Sequence, residues 1–263
     1  MIKDIEELMV KMNVDIRNNM DVAVIGMSGG ADSTLVAILC TEALGINNVY
    51  GVHMPYNVHD RLTFNLKSRD ICERLGIHEI AADISNIADE ITKGLSSIFD
   101  KKEINKVNQG NARSRSRMCM LYGIAWELNA ELNKRVRVVG TGNLSEDYIG
   151  YDTKGGDALA DIFPIGELFK SEVYQLLDYF RDKDVITEEM IDRVPSAGLW
   201  EGQTDEKELG YSYNEMEQSI KEHMTGTCKQ PINDMVKFIS IRYRDNSHKH
   251  KSPPVIKVRK YCD

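Results

Sequence analysis

The feature that most constrains this chain is a short apolar run that passes directly into a glycine-rich turn. Residues 21–27 read Asp-Val-Ala-Val-Ile-Gly-Met, and this β-branched content is typical of a buried parallel strand. Residues 33–44 then carry apolar side chains at helical spacing and stop at Gly45. A buried strand joined to a helix in this way predicts the first half of a βαβ unit.

The same alternation continues along the chain. Its patterns predict strands over 49–54, 78–82 and 135–140, and helices over 2–17, 62–75, 84–98 and 117–132. This succession favours an α/β fold, a parallel sheet with helices on both faces. Residues 150–161 are rich in Gly and Asp, and three or four helices are predicted after them. We expect one domain over residues 1–263, with an α/β core at about 20–165 and a helical C-terminal part at about 166–263.

Charge and composition exclude several classes of protein. The net charge of -8 argues against a protein that coats nucleic acid. No apolar run reaches the ~18 residues of a membrane span, and no secretory leader is apparent. The five cysteines are scattered without a C-x-x-C pair, which argues against a zinc knuckle or a disulfide framework. We expect a cytoplasmic protein that has neither nucleic acid nor a membrane as its partner.

The turn after the first strand has the residue types that a phosphate site needs. It reads Gly26-Met27-Ser28-Gly29-Gly30-Ala31-Asp32-Ser33. Glycines permit positive φ and a close approach of backbone N–H groups to an anion, and the next helix directs its positive dipole end at the same place. Asp32 is unusual in an anion site unless a divalent cation lies between it and the phosphates. The alternative is a tight turn in which Asp32 or Ser33 caps the helix.

Residues 28–33 resemble the S-G-G-x-D-S signature of the ATP pyrophosphatases, and they lack the G-K-[ST] ending of a Walker A loop. The resemblance implies a Rossmann-like, adenine nucleotide alpha hydrolase-like fold and cleavage of ATP between its α and β phosphates. It also implies that residues 26–33 bind ATP. Members of this superfamily transfer AMP to different acceptors, so the loop leaves the acceptor open.

Further segments narrow the acceptor. Residues 140–146 resemble the G-T-x-x-x-x-E segment of NAD synthetases, and other matches precede and follow them in the family's order. These matches are Gly110–Met118, Gly150–Lys154, Gly156–Asp157, Asp161–Ile165, Lys170, Pro195–Gly210 and His248–Pro253. On these segments the chain is identified as a member of the ammonia-dependent NAD synthetase family.

The resemblance implies a role for individual residues. Thr141, Lys170 and Ser196 join the ATP site. The residues assigned to deamido-NAD (nicotinic acid adenine dinucleotide) are Arg115, Lys154, Asp161, His248 and Lys249. Asp32 and Glu146 are expected to bind Mg²⁺, whose preferred ligands are oxygen atoms. Asp32 and Lys170 are the expected catalytic residues, the lysine by stabilising charge on the triphosphate.

Several of these residues, and two neighbouring arginines, also have a simpler interpretation. Thr141 would equally cap a turn, Glu146 would be a surface acid, and Lys170 would be a solvated lysine. Arg113 and Arg117 would form a solvated basic turn just before a helix, and the His-Lys-His-Lys run at 248–251 would be a solvated tail. The chain departs from the family pattern at His53 and His59, where the family has ATP-contacting arginine and glutamine. These replacements put the ATP contacts in question.

The expected reaction is amidation of deamido-NAD to NAD. Its carboxylate attacks ATP to form an adenylate, releasing pyrophosphate, and ammonia then displaces AMP. The chain is too short to hold the amidohydrolase domain of glutamine-dependent relatives, so free ammonia is the expected donor unless a separate glutaminase supplies it. The resemblance also implies a homodimer. Two alternatives stay open: an ATP pyrophosphatase with another acceptor, and a non-catalytic adenine-nucleotide-binding module.

Overall fold

The computed structural model describes residues 1–191, 204–228 and 233–257, apart from the side chains of residues 58–66. Four strands form one sheet, and every pair of neighbouring strands is parallel. In chain order they are β1 (Val22–Gly26), β2 (Val49–His53), β3 (His78–Ala81) and β4 (Val136–Val139), and their order in the sheet is β3-β2-β1-β4. All four lie within a residue or two of the predicted positions, and the predicted fold class is confirmed.

Eleven α-helices and two 3₁₀ turns occur in the described part of the chain. The helices are α1 (Ile5–Asn19), α2 (Ala31–Leu44), α3 (Asn57–Leu75), α4 (Ser85–Ile98), α5 (Lys106–Leu132), α6 (Leu144–Tyr148), α7 (Lys170–Asp182), α8 (Glu188–Ile191), α9 (Asp205–Leu209), α10 (Tyr213–Thr225) and α11 (Asp234–Asn246). The 3₁₀ turns cover Ile46–Asn48 and Ser247–Lys249. Among these described helices, none combines the length and the apolar character that crossing a membrane requires.

The helices cover both faces of the sheet because successive strand residues point to opposite sides. In β1, Ala23 and Ile25 face a core built with α1, α2, α3 and α7, whereas Val22 and Val24 face a core shared with α5. Each of these four side chains is 0% exposed. A strand buried on both sides explains why the β1 segment is continuously apolar.

The prediction that a helix begins at Arg117 is wrong, since α5 begins at Lys106 after an Asn105 cap. The buried residues in its first three turns are small: Gly110, Ala112, Ser114 and Ser116. Small side chains let neighbouring segments approach the helix closely, so burial here does not require large apolar residues. The expected apolar period is therefore missing from the first half of α5, although that half is helical.

The sheet creates a site at its carboxyl edge. From β1 the chain moves to β2 on one side, while β4 pairs with β1 on the other side. In doubly wound sheets this switch of direction opens a crevice beyond the strand ends, and ligands bind in it. The glycine-rich turn follows β1, and residues 140–146 follow β4. Both segments therefore meet at this crevice.

Candidate active site

The glycine-rich turn is held by its own hydroxyl groups. Gly30 N–H donates to Ser28 Oγ (3.2 Å), Ser28 N–H donates to Ser33 Oγ (3.3 Å), and Ser33 Oγ donates to the Gly30 carbonyl (3.1 Å). Gly29 has a φ of +70°, and a Cβ added there would lie 3.1 Å from Lys67 Cβ. Glycine is therefore required at position 29 by conformation and by space. The turn opens onto the N-terminus of α2, where unpaired N–H groups attract anions.

Two carboxylates and one ammonium group converge beside this turn. Lys170 Nζ lies 2.5 Å from Asp32 Oδ2 and 3.0 Å from Glu146 Oε1. Lys170 is only 5% exposed. The solvated-lysine interpretation of Lys170 is therefore wrong, because this lysine is a buried ion-pair partner of both acids.

Backbone elements fix the three groups. Lys170 is the first residue of α7, and its N–H donates to Ser145 Oγ (3.0 Å) in α6. Asn143 caps α6 by accepting from Glu146 N–H (3.1 Å), and its Nδ2 donates to Asp32 Oδ1 (3.0 Å). Asn143 is 0% exposed. One buried amide therefore joins the turn after β1 to the turn after β4.

The electrostatics of this group are strongly coupled. Burial raises the pKa of Glu146 to about 8, with Lys170 opposing the rise and Asp32 adding to it. Burial by itself lowers the pKa of an ammonium group, but the neighbouring Asp32 and Glu146 outweigh it and raise the pKa of Lys170 above its usual value. The lysine therefore stays charged at neutral pH, while Glu146 takes up a proton more readily than an exposed glutamate does.

The donor set fits a hard divalent cation. The Asp32 and Glu146 oxygens point at one positive charge, and carboxylate oxygens are the ligands that Mg²⁺ takes beside waters and phosphates. The helix N-terminus next to them suits the phosphates. Both residues expected to bind Mg²⁺ are thus brought together.

A second group gathers residues assigned to the dinucleotide. Arg115 Nε donates to the Lys154 carbonyl (3.2 Å), and Lys154 Nζ donates to the His248 carbonyl (3.2 Å). Lys249 Nζ donates to the carbonyls of Gly150 (2.8 Å) and Asp152 (2.7 Å). The solvated-tail interpretation is wrong for Lys249, whose side chain is 16% exposed and fastened to the loop after α6.

Acidic residues surround this second group. Burial raises the pKa of Asp147 to about 7, with His250 opposing the rise and Asp152 and Asp157 adding to it. Asp157 Oδ1 accepts from Ser114 Oγ (2.8 Å) and from Thr153 N–H (2.9 Å), so it ties the loop to α5.

The other predicted residues lie elsewhere or are outside the description. Asp161 accepts from Val138 N–H (2.8 Å) and Tyr122 Oη (3.3 Å), so its carboxylate is bonded to the edge of β4. Thr141 is partly buried at the end of β4. Ser196 lies outside the described residues, as does the side chain of His59.

The arginines of α5 do not form a basic turn. Residues two apart on a helix point in different directions, while those four apart share a face. Arg113 stacks on the Tyr56 ring (3.8 Å from the guanidinium carbon to the centroid), and Arg117 Nε donates to the Met54 carbonyl (3.1 Å). Arg113 and Arg117 therefore support the segment after β2, whereas Arg115 faces the loop that carries Lys154.

His53 occupies a buried place at the end of β2. It is 4% exposed, its Nε2 lies 3.2 Å from Glu79 Oε1, and its Nδ1 has no hydrogen-bond partner among the described residues. Burial lowers the pKa of this imidazole, with Glu79 opposing the shift. The ring is therefore neutral near pH 7, with one nitrogen left for a ligand.

Sequence reasoning missed Asn143 and Glu217. Glu217 is 5% exposed, and its carboxylate accepts from Ser171 N–H (2.9 Å), from Ser171 Oγ (2.6 Å) and from Ser145 Oγ (3.3 Å). It thereby joins the first turn of α7, which begins with Lys170, to α6. Asn143 had a usable signal, because an asparagine three residues before a glutamate is a helix-cap pattern. Glu217 had none, since it lies on α10, far away along the chain.

Comparison with known proteins identifies a family model and several relatives that this chain resembles. The family model described as NAD synthase matches residues 2–253. The NH(3)-dependent NAD(+) synthetase of Methanocaldococcus jannaschii is 36% identical over 269 residues, covering 97% of this chain and 98% of that protein. The protein of the same name from Methanococcus aeolicus is 44% identical over 193 residues, covering 72% and 70% respectively.

Two solved structures are similar over nearly the whole chain. The structure of NMN synthetase from Francisella tularensis has a TM-score of 0.78 at 30% identity, and it covers 97% of this chain and 100% of its own. The NH3-dependent NAD synthetase of Campylobacter jejuni has a TM-score of 0.74 at 28% identity, with the same coverage.

Proposed function

The chain belongs to the NAD synthase family, and from that premise we propose how its residues divide the work of the family's reaction. That reaction is the ATP-dependent amidation of deamido-NAD to NAD, with ammonia as the nitrogen donor. The observation that carries the assignment is the convergence of Lys170 on Asp32 and Glu146 beside the glycine-rich turn.

The glycine-rich turn binds the phosphates of ATP. Backbone N–H groups of residues 28–33 and the N-terminus of α2 donate to the phosphate oxygens, and Ser28 and Ser33 add hydroxyl donors. Thr141 and Ser196 contribute further hydroxyl groups to ATP. His53 Nδ1, buried without a partner in the described structure, donates to or accepts from the nucleoside.

Asp32 and Glu146 would hold Mg²⁺. When bound, the ion would neutralise negative charge on the departing pyrophosphate. Asn143 fixes the Asp32 carboxylate, and α6 fixes Glu146. Lys170 balances these acids in the free protein and turns to the triphosphate when nucleotide is bound, where its charge stabilises the transition state.

Residues of the second group hold deamido-NAD. Arg115 and Lys154 supply positive charge for its pyrophosphate, while His248 and Lys249 position the rest of the dinucleotide. Asp161, which lies outside this group, contributes from the edge of β4. The nicotinic acid carboxylate then attacks the α-phosphorus of ATP and releases pyrophosphate. Ammonia attacks the resulting acyl adenylate, AMP leaves, and one proton passes to solvent. Catalysis comes from positioning and charge neutralisation rather than from a nucleophilic side chain.

The chain acts as a homodimer in the cytoplasm, with its core (about 20–165) and its C-terminal part (about 166–263) forming one domain. Packing of α7 onto α2 supports the single domain. Large exposed apolar side chains on α4 and α5 support the dimer; they are Ile87, Ile91, Ile98, Val107, Trp126 and Leu132. The exposed free thiol of Cys119 suits a reducing compartment.

One assay tests the reaction and its acceptor. The protein is incubated with MgATP, ammonia and one acceptor at a time: deamido-NAD, nicotinic acid mononucleotide, xanthosine monophosphate or tRNA. AMP and pyrophosphate formed only with deamido-NAD support the assignment. The mononucleotide is included because a similar structure is that of an NMN synthetase. Preference for any other acceptor would refute the assignment. If none of the acceptors gave AMP, the protein would be a binding module.

A further inference from the structure

A second set of metal-ligating side chains lies outside the Asp32–Glu146 pair. Asp147 on α6, Asp152 in the following loop and His250 after α11 each offer one ligand atom, and these three atoms lie within 4.8 Å of one another. His250 Nε2 contacts Asp152 Oδ2 directly. Three separate segments of the chain therefore meet at one point.

Asp152 is the unusual member of this set. Its side chain is 5% exposed, and neither carboxylate oxygen makes a hydrogen bond within the described residues. Only ion contacts reach it, from His250 and from Lys249 Nζ at 3.3 Å. The other buried acids differ, because Asp205 accepts from Tyr213 Oη (2.9 Å) and Glu217 accepts from Ser171 N–H (2.9 Å). The burial of the Asp152 carboxylate is therefore offset by charged side chains rather than by neutral donors, and a cation supplies the same kind of environment.

We propose that Asp147, Asp152 and His250 together bind one divalent transition-metal ion, of which Zn²⁺ is the best match. The mixed donor set carries the choice of metal. Imidazole nitrogen with two carboxylates suits zinc and its neighbours, whereas Mg²⁺ and Ca²⁺ take oxygen ligands. Two carboxylates and a neutral imidazole also balance the charge of the ion.

The three ligand atoms must move closer together to share one ion. Ligand atoms bound tetrahedrally to one zinc ion at about 2.1 Å lie about 3.4 Å apart. The set must therefore contract by up to about 1.4 Å from its limit of 4.8 Å. His250 supplies this freedom, because its side chain is 26% exposed and it follows the 3₁₀ turn Ser247–Lys249.

A bound ion would fasten the residues proposed to hold the dinucleotide. Asp152 lies two residues before Lys154, and His250 follows His248 and Lys249. A metal ion bound to both Asp152 and His250 would fasten their two segments to each other. It would thereby stiffen the contacts between these segments, such as Lys154 Nζ to the His248 carbonyl. This consequence rests on the proposed function, but the metal site does not.

Zinc binding is measured directly, without ATP or dinucleotide. Chelator-treated protein is titrated with Zn²⁺ in excess Mg²⁺, separated by gel filtration and analysed for bound metal; Co²⁺ gives a parallel visible spectrum. We expect one Zn²⁺ per chain in the wild type. His250→Gln and Asp152→Asn should each weaken binding by more than about 100-fold, since loss of a ligand costs more than loss of its supporting residue.

Two matched controls make the result specific. His248→Gln changes a neighbouring histidine whose Nδ1 lies 3.1 Å from the Asp245 carbonyl, away from the carboxylates, and it should keep the zinc. Asp32→Asn should also keep it. Absence of retained zinc in the wild type, or equal retention in His250→Gln, overturns the proposal, as does loss of zinc in Asp32→Asn. Thermal unfolding checks that each variant is folded, and His250→Gln changes only an exposed residue. Turnover is assayed separately, so failure of the metal site and failure of the proposed function give different results.

Discussion

Lys170 Nζ lies 2.5 Å from Asp32 Oδ2, although 138 residues separate the two in the chain. The contact joins the first residue of α7 to the first turn of α2 at the sheet's carboxyl edge. A buried ion pair of this kind is weak support for stability, because desolvation offsets much of the attraction. Its position beside the glycine-rich turn instead supports the proposed catalytic role.

Lys170→Met tests that role. The variant removes the positive charge while keeping a side chain of similar length, so we expect the rate of NAD formation to fall by about 10²–10³-fold. Release of AMP with saturating MgATP, ammonia and deamido-NAD measures the effect. Lys183→Met is the matched control, because Lys183 pairs with Glu6 on the exposed surface, and it should retain wild-type turnover. Wild-type turnover in Lys170→Met would remove this lysine from catalysis.

Asn143 should act as a positioning residue for Asp32. Asn143→Ser keeps an oxygen that caps α6 but loses the Nδ2 donor to Asp32, whereas Asn143→Ala loses both. We expect both variants to raise the KM for MgATP. Only Asn143→Ala should also lose about 1 kcal/mol of stability, the usual cost of a lost cap. Urea unfolding and steady-state kinetics separate the two effects; an unchanged KM in Asn143→Ser would leave the amide with a structural role alone.

His53 should make stability depend on pH. Its pKa is lowered by burial from the ordinary 6.5, so the unfolded chain takes up a proton more readily than the folded one. The stability that neutral His53 contributes is present above pH 6.5 and is lost as the pH falls through the folded-state pKa. Burial raises the pKa of Glu146 and of Asp147, and these two acids act in the opposite direction in both proteins. We therefore expect the free energy of unfolding of the wild type to decrease relative to that of His53→Gln between about pH 7 and about pH 5. The free energy of unfolding is measured by urea titration at each pH. The same pH dependence in the two proteins would contradict this expectation.

Arg115 should affect dinucleotide binding and not ATP binding. Its one hydrogen bond within the described structure goes to the Lys154 carbonyl, which leaves the terminal nitrogens of the guanidinium for an anionic ligand. Losing a charge-assisted pair of hydrogen bonds costs about 2–3 kcal/mol, so we expect Arg115→Leu to raise the KM for deamido-NAD by roughly 30–150-fold. Arg115→Lys keeps the charge, so its KM for deamido-NAD should lie between those of the wild type and of Arg115→Leu. A comparable rise in the KM for ATP would contradict the assignment of Arg115 to the dinucleotide alone.

Trp126 should lie in the dimer interface. It is 76% exposed on α5, and large aromatic side chains dominate the binding energy of interfaces. We expect Trp126→Glu to shift the wild-type dimer to monomer in sedimentation equilibrium, while Trp126→Phe remains dimeric. A monomeric wild type would exclude the homodimer, and a dimeric Trp126→Glu would move its interface elsewhere.

Much of the fold follows from local patterns. β1 and α2 were predictable because a buried strand is continuously apolar and the turn between them needs glycine. The start of α5 was not, because Gly110, Ala112 and Ser114 are buried by close approach rather than by apolar size. A hydrophobic period records only the second kind of burial.

The candidate site also has one part that could be predicted from the sequence and another that could not. The glycine-rich turn is contiguous in sequence, and its tight conformation between β1 and α2 could be predicted from its residue types. The partnership of Asp32, Glu146 and Lys170 could not, since residue types alone do not reveal which distant side chains meet. Family resemblance nominated those three residues, but it did not predict Asn143, whose contact with Asp32 depends on the packing of α6 against the turn after β1.

The hydroxyl groups of Ser28 and Ser33 close the glycine-rich turn through hydrogen bonds within the turn itself. An anion that enters therefore exchanges one set of hydrogen bonds for another and does not have to order the backbone. The conformational entropy of this loop was lost when the chain folded, so the entropic cost of binding falls mainly on the nucleotide. Folding stability and nucleotide affinity are linked at this turn, since a change that loosens it weakens both.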